Sequence, residues 1–90
     1  MQSYKCTVNG KVTGGNFQSW VLDAAQRLNL NGWVRNVADH KAEILLQGKA
    51  ANYAIFMDRL KNEAPVVDKG EISGVTLDYE KTYDHFEMRG

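Results

Sequence analysis

The sequence is poor in the features that mark most specialised protein classes. In 90 residues there is one cysteine and one proline, and eleven Lys+Arg are offset by eleven Asp+Glu. One cysteine excludes an internal disulfide. Its position, Cys6 in an alternating segment, reads as a small core residue of a protein from a reducing compartment, so a cytoplasmic location is expected. The zero net charge removes the basic footprint that nucleic-acid binding needs, so no nucleic-acid partner is expected. No run approaches the roughly 18 apolar residues of a membrane span, and Met1-Gln2-Ser3-Tyr4-Lys5 lacks the apolar stretch of a secretory leader. Neither membrane association nor secretion is expected. A chain this short buries only about 60–65% of its unfolded surface, which predicts one domain over residues 1–90 with one shared core.

What is present is a regular alternation of patterns. From Tyr4 to Val12 the apolar or small residues occupy every second position, the period of a half-buried strand. Thr13-Gly14-Gly15-Asn16 breaks the alternation, and Phe17, Trp20, Val21, Ala24, Ala25 and Leu28 then recur at helical spacing. Asn29 and the Asn31-Gly32 pair are expected to end this helix. Trp33 to Val37 and Lys41 to Leu46 read as a hairpin around Ala38-Asp39-His40. Ala50 to Lys61 reads as a second helix through Tyr53, Ala54, Phe56, Met57 and Leu60, with Pro65 forbidding its continuation. Glu71 to Tyr79 reads as a strand with a bulge near Gly74, because Ile72 differs in parity from Val75, Leu77 and Tyr79. Asp78 to Asp84 reads as a solvated turn, and Phe86 and Met88 suggest a short last strand. The order βαββαβ with one extra strand is that of a ferredoxin-like α+β fold, an antiparallel sheet with two helices on one face. The other face, carrying Leu45, is expected to be solvated or to pair with a partner.

Few residues offer chemistry. His40 and His85 have no Cys or carboxylate at ligand spacing, so no metal is expected. Ser19 and Ser73 lack a positioned base. The informative stretch is Gly14-Gly15-Asn16-Phe17-Gln18, between a strand and a helix start. Glycines let consecutive N–H groups turn inward as a nest, and the helix dipole adds a positive field, which suits phosphate or carboxylate. A Gly-Gly turn joining strand to helix is also ordinary geometry, and the residues alone leave both readings open.

Longer strings add to this. Gly10-x-Val12-x-Gly14-x-x-Phe17, then Ala25, Leu28 and Leu30, then Gly32-Trp33-Val34-Arg35-Asn36, with Gly48 beyond, resemble the acylphosphatase family. The resemblance runs from about residue 4 to residue 60 and more loosely to the C-terminus. It implies hydrolysis of acyl phosphates without metal or cofactor, by a monomer whose ligand is a small anion: phosphate, sulfate or the acyl phosphate itself. It further implies a phosphate loop of Thr13, Gly14, Gly15, Asn16, Phe17 and Gln18, with Gln18 and Asn36 at the catalytic positions. Asn36 would hold the attacking water. The leaving group is a carboxylate, whose pKa of about 4 makes a general acid unnecessary, so positioning and charge stabilisation suffice.

One departure matters most. The family ends its loop with arginine, and here Gln18 stands in that place. Glutamine has no charge and no five-donor fork for phosphate oxygens. By analogy with arginine fingers the loss is on the order of 4–7 kcal/mol of transition-state stabilisation, so activity is expected to be weak or lost. The alternative is a non-catalytic anion-binding or protein-interaction module. Arg35 neighbours Asn36 and is expected on the opposite strand face. Lys11, just before the loop, has a stem long enough to reach toward it. Thr13 and Gly15 replace the usual glutamine and valine, Asp39-His40 a frequent Asp-Gly turn, and Ala64-Pro65 a Gly-Pro. His40 must then take a left-handed conformation or shift the turn type.

Overall fold

The computed structural model describes residues 2–12 and 16–89. Its elements are β1 (Gln2–Asn9), α1 (Asn16–Arg27), β2 (Asn31–Ala38), β3 (Lys41–Gly48), α2 (Ala50–Glu63), β4 (Ile72–Leu77) and β5 (Phe86–Arg89). Together they make one five-stranded sheet in the order β4-β1-β3-β2-β5. The βαββαβ order with a short added strand is the α+β, ferredoxin-like arrangement read from the sequence. The expected all-antiparallel sheet needs correction. β5 pairs with β2 in parallel, Gly32 opposite Phe86 through Arg35 opposite Arg89, so the sheet is mixed. Residues 78–85 carry the chain from one sheet edge to the other, which sets the direction of β5.

Both helices cover one sheet face. Alternation on β1 and β3 sends Tyr4, Cys6, Val8, Ala42, Ile44 and Leu46 to that side, where they meet Phe17, Val21, Ala24 and Ala25 of α1 and Phe56 and Leu60 of α2 in one buried cluster. α1 ends as a helix should: Asn29 is left-handed, at φ 55°, and Leu30 N–H returns to the Ala25 carbonyl at 2.9 Å. Gly32, expected to help end α1, instead lies inside β2. At its φ of 138° a Cβ would collide with the Leu45 carbonyl of β3, so glycine allows the two strands to close there.

Three further expectations change. β4 pairs with β1 without interruption from Ser3–Leu77 to Val8–Ile72, so there is no bulge near Gly74; Val75 simply faces away from the helices and is exposed. The irregularity lies instead in β2, where the register slips between Asn36 and Ala38. That slip explains how the hairpin accepts Asp39-His40: His40 is not among the positive-φ residues, so the turn type has shifted. Finally, Leu45 is neither solvated nor free to take a partner. Together with Trp33 it is buried beneath Tyr83, with Leu77 packed alongside, and Tyr83 belongs to the segment read as a solvated turn.

Candidate functional site

β1 reaches Asn9 and the chain turns at Gly10. There a φ of 145° and a close approach to the Val66 side chain both require glycine. Two carbonyls of the β2–β3 turn then clamp the outgoing backbone: His40 C=O accepts from Gly10 N–H at 3.0 Å and Asp39 C=O from Val12 N–H at 3.3 Å. Val12 is buried in the core, so the entrance to the proposed loop is fixed on both the backbone and the side-chain side. Of the loop itself, Thr13, Gly14 and Gly15 lie outside the described residues. Asn16 opens α1 and is exposed; Phe17 is buried among core side chains; Gln18 is half-buried in the first helical turn. A buried Phe17 ring contributes its backbone alone to any ligand, and it fixes where the first-turn N–H groups stand. Those groups have no intrahelical acceptors, and no acidic side chain occupies the first turn to compete for them.

Asn36 comes to this entrance from β2. In the alternation of that strand Val34 and Asn36 share the helix side, and Asn36 Nδ2 donates to the Val12 carbonyl at 3.2 Å. Its Oδ1 is buried and has no hydrogen-bond partner among the described residues. Buried acceptors are nearly always paired with protein or water, so an amide pinned at one end with its oxygen free is suited to hold a small polar ligand. Arg35 points the other way, as its parity requires. Its guanidinium is 2.9 Å from Glu43 and lies over the Trp33 ring, 5.1 Å from the centroid. It is therefore no replacement for a loop cation. Gln18 makes no hydrogen bond or ion pair among the described residues.

Other chemistry is poorly served. Burial pushes the Cys6 thiol up to about 12, against a smaller opposing effect of the Tyr53 hydroxyl, so it carries no thiolate at neutral pH. Among the described residues no three His, Cys, Asp or Glu side chains gather as metal ligands, and no helix is long and apolar enough to cross a membrane. The clamp of Gly10 and Val12 by the β2–β3 turn was not foreseen. It is made of backbone groups, which leave no residue-type signal in a sequence.

With this geometry in view, comparison with known proteins is direct. Residues 4–88 match the family model described as acylphosphatase. An acylphosphatase from Paraburkholderia xenovorans is 32% identical over 98% of this chain and 91% of its own length. The crystal structure of acylphosphatase from Bacillus subtilis superposes with a TM-score of 0.89 at 29% identity, covering 100% of both chains. The structure of an acylphosphatase from Coxiella burnetii gives 0.87 at 27%, covering 98% of this chain and 92% of that one. The chain belongs to the acylphosphatase family, whose general chemistry is the hydrolysis of acyl phosphates.

Proposed function

We propose that this protein binds the phosphoryl group of acyl phosphates at the start of α1 and hydrolyses them slowly, with Asn36 placing the water. The observation that carries the reading is the Asn36 amide: Nδ2 anchored on Val12, Oδ1 buried and without a partner among the described residues. An acceptor so held takes a hydrogen bond from a water and leaves that water's lone pair directed at a phosphorus atom seated at the adjacent loop. Residues 13–18 supply N–H groups to the phosphoryl oxygens, and Gln18 supplies a neutral donor where an arginine would supply charge. The acyl carboxylate departs as a stable anion, so the reaction as proposed needs neither general acid nor cofactor. We read the protein as a monomer of the cytoplasm, consistent with its single buried cysteine.

The test is steady-state hydrolysis of acetyl phosphate by wild type, Gln18→Arg and Asn36→Ala. Gln18→Arg is expected to raise the rate by about 10³-fold or more, the lower end of what an arginine finger supplies. Asn36→Ala should drop any wild-type rate to background. Rapid wild-type turnover that Gln18→Arg leaves alone would overturn the slow-enzyme reading. The uncharged Gln18 also favours a second reading, an anion-binding module without turnover. No hydrolysis by wild type, together with loop amide shifts on phosphate titration, would select it.

A further inference from the structure

We infer that a cleft beside the loop receives the acyl end of the substrate, and that Lys11 makes it selective for acyl groups ending in a second carboxylate. The inference rests on the acyl phosphate reading above and adds to it the class of acyl group. The cleft, of about 360 Å³, is lined by Lys11, Asn16, Phe17 and the stretch Ala64, Pro65, Val66 and Val67. Its size is at the small end of the roughly 300–1,000 Å³ of small-molecule sites, which suits a short chain. Asn16 and Phe17 form its border with the proposed phosphoryl site, so a substrate anchored there has the cleft beside it.

The far wall is apolar in its side chains, and its backbone offers a ligand few donors. Pro65 has no N–H, Val66 N–H is spent on the Ala64 carbonyl at 2.9 Å, and the Val67 carbonyl accepts from Lys11 N–H at 2.7 Å. Phosphoryl oxygens placed against this wall would lose hydration and meet few donors, whereas methylenes gain from the contact. The wall is also preformed: the Lys11–Val67 bridge and the tight approach of Gly10 to Val66 hold residues 64–67 against the end of β1. Lys11 is the single charged residue among those lining the cleft, and its ammonium has no ion pair among the described residues. A lysine at the lining of this cleft, with its ammonium on a flexible stem, matches a ligand with a short methylene chain and a terminal carboxylate.

Two acyl phosphates of equal chain length test this, succinyl phosphate with a terminal carboxylate and butanoyl phosphate with a methyl. For wild type the ratio of kcat/KM, succinyl over butanoyl, is expected to be about tenfold, the worth of one charge-assisted hydrogen bond. Lys11→Gln should bring the ratio near one. A wild-type ratio near one, or a ratio that survives Lys11→Gln, would overturn the inference. Should neither compound be hydrolysed, the hydrolysis reading fails by itself, and the products decide: in backbone amide spectra recorded with inorganic phosphate present, succinate should shift Val66 and Val67 in wild type more than butanoate does, and Lys11→Gln should abolish the difference. Equal or absent shifts would overturn the cleft assignment.

Discussion

The two faces of the sheet are built by different means. Toward the helices, β1, β2 and β3 present Cys6, Val8, Val34, Ala42, Ile44 and Leu46, all inaccessible to solvent, and two amphipathic helices close over them. On the other side a three-residue cluster, Trp33, Leu45 and Tyr83, is ringed by charges: Lys5, Arg35 and Glu43 on the sheet and Arg89 over both aromatic rings. No helix among the described residues covers this face. It is closed by residues 78–85, held through backbone groups: Gln47 Nε2 donates to the Lys81 carbonyl at 2.7 Å, Gln47 Oε1 accepts from Tyr83 N–H at 2.8 Å, and Asn31 donates to the Tyr83 carbonyl at 3.1 Å. Hydrophobic burial therefore dominates the face that also positions Asn36, and specific polar contacts dominate the other. The site residues stand on the more deeply buried side.

If the helix-side cluster supplies most of the stability, removing one large side chain there should have the largest effect on folding. Phe56 is fully buried on α2 and meets Trp20 of α1 at 6.3 Å between ring centroids. Phe56→Ala is expected to cost about 3–5 kcal/mol, a transfer cost plus a cavity cost, read as a shift of the urea midpoint. For a domain of this size that is a large part of the total, since native stabilities are about 5–15 kcal/mol. A loss below about 1 kcal/mol would show that α2 is not a main support of the sheet.

The strap on the opposite face should respond less and more locally. Gln47 is 2% exposed and satisfies three groups at once: Ser3 Oγ at 3.2 Å, the Lys81 carbonyl and the Tyr83 N–H. Gln47→Ala leaves the Tyr83 N–H without its partner and should cost about 1–3 kcal/mol. The added signature is faster amide exchange at Tyr83, with Cys6 and Ile44 amides on the helix-side strands left at the global rate. Equal acceleration on both sides would mean that the strap and the core open as one unit, and the contrast between the faces would fail.

The same contrast explains what could be read in advance. The helix face was legible because burial there follows period: every second residue from Tyr4 to Val8, and Phe17, Val21, Ala24 and Ala25 along α1. The strap was not, because Gln47, Asn31 and Tyr83 act through backbone partners far along the chain, and nothing in their identities says which carbonyl they meet. The parallel direction of β5 escaped for the same reason, since four residues, Phe86–Arg89, carry no pattern that distinguishes parallel from antiparallel pairing. At the site, parity alone placed Arg35 away from Asn36, and family spacing singled out Asn36. The clamp on Val12 and the cleft beside Lys11 depend on where residues 39–40 and 64–67 return in space.

The smallest effect expected concerns Glu43, which lies between two cations, Arg35 and Lys5, on the strapped face. Its carboxylate is 2.9 Å from Arg35, directly across in the β2–β3 register, and 3.2 Å from Lys5. The Arg35 hydrogen bond, partly opposed by desolvation and helped by Lys5, holds its pKa below the ordinary 4.5. A carboxyl whose pKa is lower folded than unfolded contributes stability that is complete above the unfolded value and disappears as pH falls through the folded value. Glu43→Gln should therefore cost about 1 kcal/mol at pH 7, at the upper end for a surface pair because two cations share one carboxylate. The difference from wild type should shrink steadily as pH falls below 4.5. Raising the salt concentration should shrink it too, because Arg35 and Lys5 are partly exposed and screening reaches them. A pH-independent difference would mean that Glu43 contributes through packing against Trp33 and Leu45, and the strapped face would then resemble the helix side after all.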